Sequence, residues 1–283
     1  RKSYNMSGNA KDYVAEFTLP KKGGSTTKMW MDYEEYQHML SFKEECEMYY
    51  WYGQRTYGAD GVVNMKDENG QPVVIGPGLL EQIINQETYA NLTEGLLLNV
   101  IGDLFYGMTD GNKKNITLYT GTGGMREFDT ALKDFFGANA WMVGGETRFI
   151  TGSGRSMGLT GHFTSYQHID GHSINVVKLP LFDHGPVARA RDLHPVSGYS
   201  LESYRMVFVD QSSYDGVSNL RMINKKNREY LRWCVPGSVV PRGFDSSTSR
   251  ASDVDGAAVH MLKTAAICLG RFDTSLDFQC IAS

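Results

Sequence analysis

LYTGTGGMREFDTALKDFF, Leu118 to Phe136, sets a hydrophobic strand, three close glycines and an amphipathic helix in a row. Its reading decides the fold, because a strand, a glycine turn and a helix open many nucleotide-binding α/β domains but also serve as a plain tight connection. A Walker loop needs GxxxxGK followed by Ser or Thr, since a lysine must reach the outer phosphates and a hydroxyl must hold magnesium. TGTGGMREF has neither. The dinucleotide fingerprint begins with Gly121 and Gly123, yet Arg126 stands where the last glycine should let helix and sheet approach. The stretch therefore reads as a structural turn. Met125, Phe128, Leu132 and Phe135 line one helix face, while Arg126, Asp129, Lys133 and Asp134 line the other. Glu127 is expected in the first turn, where the helix dipole favours a carboxylate.

Upstream, Leu79 to Tyr106 carries a stripe of Leu97, Val100, Ile101, Leu104 and Phe105 after a less regular start, and predicts the strongest helix of the chain. Before it, Gly58 to Gly78 reads as two extended runs joined at Asn69-Gly70, a pair suited to the positive φ angles of a tight hairpin. A two-stranded ribbon is marginal alone in water, so this one should lie on its own fold or on another molecule. Asp32 to Tyr52 has no proline or glycine and repeats Tyr33, Tyr36, Leu40, Cys46, Tyr49 and Tyr50 at nearly helical steps. Arg1 to Met31 shows no sustained period and reads as an extended arm. Downstream of Ala138, short alternating segments broken by glycine point to strands. Helices early and strands late predict an α+β architecture.

The chain has 283 residues with 41% hydrophobic content and a net charge of −4, enough apolar material for a core and no basic surplus for gripping nucleic acid. Cys46, Cys234, Cys268 and Cys280 lie far apart, which argues against a zinc ribbon or a disulfide scaffold and suggests a reducing compartment. No apolar run approaches the roughly 20 residues of a membrane span, and the first residues lack a signal-like stretch. The glycosylation triplets at Asn5, Asn91 and Asn115 read as chance without a secretory signal. His162, His168, His172, His184 and His194 have no HExxH spacing and no nearby cysteine or glutamate to complete a metal site. There is no GxSxG elbow, TGSGRSMG from Thr151 to Gly158 reads as a loop, and DQSSYDG from Asp210 lacks the closing glutamate of a calcium loop. No catalytic, cofactor-binding or metal-binding residue is expected.

The order of these parts, with SYRMVFVDQSSYDG and VHMLKTAAICLGRFDTSLDF near the end, resembles the major capsid proteins of tailed bacteriophages, whose fold is called the Hong Kong 97 type. In that family an N-terminal arm leads to an extended loop, a long spine helix in a peripheral domain and an axial domain, and late strands return to the periphery. The resemblance implies an arm over Arg1 to Met31, an extended loop over Asp32 to Gly78 and a spine helix over Leu79 to Met108. It further implies an axial domain over Thr109 to Ser200 and returning strands over Leu201 to Ser283.

The function implied is assembly of an icosahedral shell from hexamers and pentamers, enclosing a phage genome without specific DNA binding. Scaffold, protease, portal and decoration proteins are the implied partners, with no membrane, and assembly would occur in the host cytoplasm. Arg1 would fit a chain trimmed by a maturation protease. Aromatic Tyr49, Tyr50, Trp51 and Tyr52, and Asn69, Gly70, Val73 and Val74 of the expected hairpin, are the candidate interface residues. The alternatives are a cellular nanocompartment shell of the same fold and an enzyme on an unrelated α+β fold.

Overall fold

The computed structural model describes residues 1–9, 14–20, 26–106, 114–139, 165–167, 171–241, 244 and 253–281. In chain order the first elements are β1 (Lys2–Ser7), β2 (Val14–Pro20), β3 (Thr26–Asp32), α1 (Tyr33–Tyr52), α2 (Leu79–Gln82), β4 (Asn85–Tyr89) and α3 (Glu94–Phe105). There follow β5 (Asn115–Thr120), α4 (Thr122–Asn139), β6 (Ser165–Gln167), β7 (Ser173–Lys178), α5 (Leu181–His184) and α6 (Pro186–Ala190). A 3₁₀ turn (Leu201–Tyr204) precedes β8 (Met206–Asp210), β9 (Ser213–Tyr214), β10 (Val217–Ser218) and β11 (Leu220–Asn224). The chain ends on β12 (Leu231–Pro236), β13 (Gly256–Leu262), β14 (Ala265–Leu269) and β15 (Leu276–Cys280). Two compact units result, one from Arg1–Tyr50 with Met222–Ala266 and the other from Trp51–Arg221 with Ile267–Ser283.

In the first unit β1, β13 and β12 form an antiparallel sheet with Tyr4 opposite Val259 and Met6 opposite Ala257. Tyr4 and Met6 alternate with exposed neighbours and meet Phe42, Val259 and Met261 in a small core. The expected loose arm thus begins as a paired strand. The rest of it forms the β2–β3 hairpin, paired from Val14–Asp32 to Pro20–Thr26, whose last residue leads directly into α1. The helix expected over Asp32 to Tyr52 is present, but its buried face is not the tyrosine stripe. Glu35, Met39, Phe42 and Cys46 face the core, while Tyr33 and Leu40 are exposed. Glu35 is tolerated there because Arg232 pairs with it, the guanidinium lying 4.1 Å over the Phe244 ring.

The second unit is built on a six-stranded sheet in the order β4, β15, β8, β5, β7, β6. β5 and β7 run parallel, with Ile116 opposite Ile174 and Leu118 opposite Val176, whereas β8 is antiparallel to β5. All five residues of β8 are buried, as a central strand covered on both faces requires. Leu97 and Ile101 of α3 and Phe128 and Leu132 of α4 pack on this sheet with Phe208 and Phe278. Each fully buried Leu or Phe stabilises the fold by roughly 1.5–3 kcal/mol.

The single helix expected over Leu79 to Tyr106 is instead α2, the edge strand β4 and α3. Asn85–Tyr89 is extended because it pairs in parallel with Leu276–Cys280, and Thr93 then caps α3 by accepting a hydrogen bond from Leu96 N at 3.2 Å. The expected hairpin over Gly58 to Gly78 is also corrected. It contains two short turned segments, bridged only at Tyr57–Val63 and Lys66–Pro72. Gly70 alone of the Asn69-Gly70 pair has positive φ, because the Asp67 carboxylate accepts from Asn69 N at 2.9 Å and Gln71 N at 2.7 Å and fixes a wider turn. The two-residue turn with both φ positive occurs at Asp215-Gly216 between β9 and β10.

Candidate assembly surfaces

The β5–α4 turn contains what a ligand would otherwise provide. Asp183, on α5, accepts from Thr122 N at 2.7 Å, from the Thr122 hydroxyl at 2.6 Å and from Ser203 Oγ at 2.7 Å. Ser203 Oγ in turn accepts from Gly123 N at 2.8 Å. The N-terminus of α4, the place where an anion would bind, is occupied by the protein's own carboxylate. Glu127, expected to serve the dipole, lies beyond the first turn, and Asp183 does this from outside the helix. The glycines are demanded by crowding: a Cβ on Gly121 would lie 2.7 Å from Ser203 O, and one on Gly124 would lie 2.0 Å from Thr120 Oγ1.

Burial alone would raise the Asp183 pKa, but hydrogen bonds from Thr122, Ser203 and Lys178 outweigh it and hold the carboxyl below its usual range. A depressed folded pKa contributes stability above the unfolded carboxylate range and loses it as pH falls through the folded value. Asp183→Ala is therefore expected to cost about 2 kcal/mol at neutral pH, and less in acid, in chemical denaturation. An unchanged midpoint at neutral pH would contradict this role.

Of the expected helix face, Phe128 and Leu132 are buried and Met125 packs against the same core, while the Phe135 side chain lies outside the described residues. His162, His168 and the Thr151 to Gly158 glycines also lie outside them. His172 is buried, accepting from Lys114 N at 3.1 Å and lying against Phe105, and His194 stacks on Tyr204 at 4.5 Å. Among the described residues no cluster of His, Cys, Asp or Glu is arranged to hold a metal.

The candidate interface residues are divided between the two units, Tyr49 and Tyr50 in the first and the others in the second. Trp51 is 9% exposed and wedged edge-on against Tyr119 and Phe182, and the Tyr52 hydroxyl donates to Glu202 at 2.7 Å. Both therefore pack within their own unit, Trp51 buried and Tyr52 half-buried. Tyr49 is exposed, and Tyr50, half-buried, lies under Lys263 at 5.2 Å. Asn69, Gly70 and Val74 are exposed on the turned loop and Val73 is half-buried, its N bonded to Met65 O at 2.9 Å.

Sequence reasoning missed a buried charge network. Arg205 clamps Asp277 through Nε at 2.7 Å and Nη2 at 2.5 Å, and reaches Glu202 through Nη1 at 2.7 Å. Nothing in the spacing of Arg205 and Asp277 announced it, since these two lie 72 residues apart. Missed as well was the β2–β3 hairpin immediately ahead of the longest helix, where only alternation in VAEFTLP and TTKMWMD could have signalled strands.

These features order a scaffold. Comparison with known families decides what the scaffold is for, because the family described as Crassvirus major capsid protein matches residues 1–275. The chain belongs to that family. It is a capsid shell subunit and a structural protein of the virion. The resemblance to tailed-phage major capsid proteins drawn from element order holds, as does the α+β class. The nanocompartment and enzyme readings give way to it.

Among solved structures, the capsid of cyanophage P-SCSP1u is 8% identical with a TM-score of 0.38, covering 100% of this chain and 84% of its own. A Mycobacterium phage Patience structure is 11% identical with a TM-score of 0.39, covering 100% and 80%. At such values the family match carries the assignment. No curated protein matches the chain.

Proposed function

We propose that this Crassvirus-family capsid protein assembles into hexamers and pentamers through its β2–β3 hairpin, with the domain boundaries redrawn from those first expected. In this reading residues 14–32 are the extended loop, α1 is the spine helix, Trp51–Arg221 is the axial domain, and Met222–Ala266 returns to the peripheral domain. The observation that carries it is chain order: a two-stranded hairpin runs straight into the 20-residue helix α1, and β12 and β13, from late in the chain, build the sheet of the same unit. At 1.5 Å per residue α1 spans about 30 Å, a length suited to a spine.

The shell encloses DNA without reading it, in keeping with the net charge of −4. Among the described residues no helix is long and apolar enough to cross a membrane. Assembly takes place in the host cytoplasm with scaffold, protease, portal and decoration proteins as partners, and the reading includes no catalytic step. Electron microscopy of the purified chain at assembly concentration should show five- and six-membered rings or closed shells. A monodisperse monomer under every assembly condition would overturn the reading.

A further inference from the structure

The residues from Arg221 to Tyr230 are exposed without interruption, although the first of them belong to a strand. Among the described residues β11 pairs with β14 alone, in a ribbon of two strands. Met222 is 49% exposed and Ile223 52%, and successive strand residues point to opposite faces, so both faces of β11 show apolar surface to solvent. Arg221, Lys225, Lys226 and Arg228 surround these two side chains with a single acid, Glu229. None of the four cations makes an ion pair among the described residues. A bare two-stranded ribbon is marginal in water and calls for a cover.

The same chain carries a surface of complementary charge. A groove of about 420 Å³ lies between α3 and the edge strand β4, floored by Val100 and Leu104 and rimmed by Glu87, Asp103 and Asp273. Ile84, 67% exposed, stands at its lip. The wall is prebuilt, since Asn85 Nδ2 donates to Asp273 O at 2.7 Å and to Ser275 O at 3.2 Å. The three carboxylates likewise make no ion pair among the described residues.

We propose that β11 of one subunit, with the basic segment that follows it, docks into the α3–β4 groove of a second copy, the basic residues meeting Glu87, Asp103 and Asp273 and Met222 or Ile223 covering Ile84. The proposal rests on the shell reading, which supplies the second copy. Because the two patches differ, the contact is heterologous, and heterologous contacts that close generate rings, the symmetry a capsomer needs. The charged rim would guide encounter and register more than it adds affinity.

Three full-length variants test it: Glu87→Lys with Asp103→Lys and Asp273→Lys, then Lys225→Glu with Lys226→Glu and Arg228→Glu, then all six together. Sedimentation and electron microscopy at low salt read the assembled fraction, after circular dichroism has compared folding. Each set alone is expected to lower assembly about tenfold or more, and the six together to restore most of it. Wild-type-like assembly by either single set, or no recovery in the six-fold variant, would overturn the docking.

If a charge variant fails to fold, Ile84→Cys with Ile223→Cys in the otherwise unchanged chain gives the reading, using a short bismaleimide. Cross-linked multimers beyond those of either single cysteine variant are expected, and their absence would count against the contact. Failure of the wild-type chain itself to assemble would instead remove the shell reading. Rescue seen only with an added basic protein would assign the groove to another partner.

Discussion

Arg205→Met is expected to lower the unfolding free energy of the subunit by about 3–5 kcal/mol, among the largest effects of any single side chain. Arg205 is 7% exposed, Glu202 2% and Asp277 0%, so the substitution takes the Arg205 charge away from two buried carboxylates. Burial would pull the guanidinium pKa down, but Asp277 and Glu202 outweigh burial and hold it above its ordinary value. The cost arises mainly from the abandoned acids rather than from the lost attraction. Glu202 keeps Arg191 at 3.3 Å and the Tyr52 hydroxyl, which moderates its share, whereas Asp277 keeps only the Gln279 amide at 2.9 Å.

Two controls isolate that cause. Arg205→Lys retains the charge but cannot form the bidentate fork, and should fall between wild type and Arg205→Met. Asp277→Asn added to Arg205→Met should recover part of the loss, because a neutral amide tolerates burial where a carboxylate does not. Domain stabilities are typically about 5–15 kcal/mol, so the effect is readable as a lower denaturation midpoint. A loss under about 1 kcal/mol for Arg205→Met would show that the network is ornamental.

The sequence was most legible where the determinants are local. Strand β5, its glycine turn and α4 follow from an apolar run, three close glycines and a helical period, all within 25 residues of one another. Elements defined by distant partners were not legible. β1 is a strand because residues 256–261 lie beside it, and KSYNMS shows only Tyr4 and Met6 as alternating apolar positions. β4 was absorbed into a helix because Leu79, Leu80 and Ile83 mimic the start of a helical stripe, while its true partner is β15.

The buried face of α1 was misread for a related reason. A carboxylate at position 35 argues for solvent until Arg232, from the far end of the chain, is known to pair with it. The capsid resemblance nevertheless survived, because it depends on the order of arm, loop, helix and returning strands. Its boundaries are redrawn in the proposal above, because they depend on which helix and which hairpin fill those roles.

Replacing residues 14–32 by a short Gly-Ser linker is expected to abolish shells while the subunit still folds, and this contrast bears hardest on the redrawn boundaries. The hairpin has seven residues in each strand, about 24 Å at 3.4 Å per residue, and among the described residues no third strand beside it. Such a ribbon gains little from staying alone in water, so its contribution should be to a neighbour.

By contrast, the loop from Gly53 to Gly78 is tied down within its own unit, with Gly78 N bonded to Gly53 O at 2.6 Å and Arg55 N to Glu81 at 2.7 Å. Deleting Ala59 to Gly76 should therefore weaken assembly less than deleting the hairpin does. The difference is amplified by repetition: about 1.4 kcal/mol lost per contact is a tenfold loss, and a closed shell repeats it at every copy. Thermal unfolding of each deletion establishes that the subunit is intact before particles are counted. Normal shells without residues 14–32, or shells lost only on removal of Ala59 to Gly76, would return the extended loop to its first assigned place.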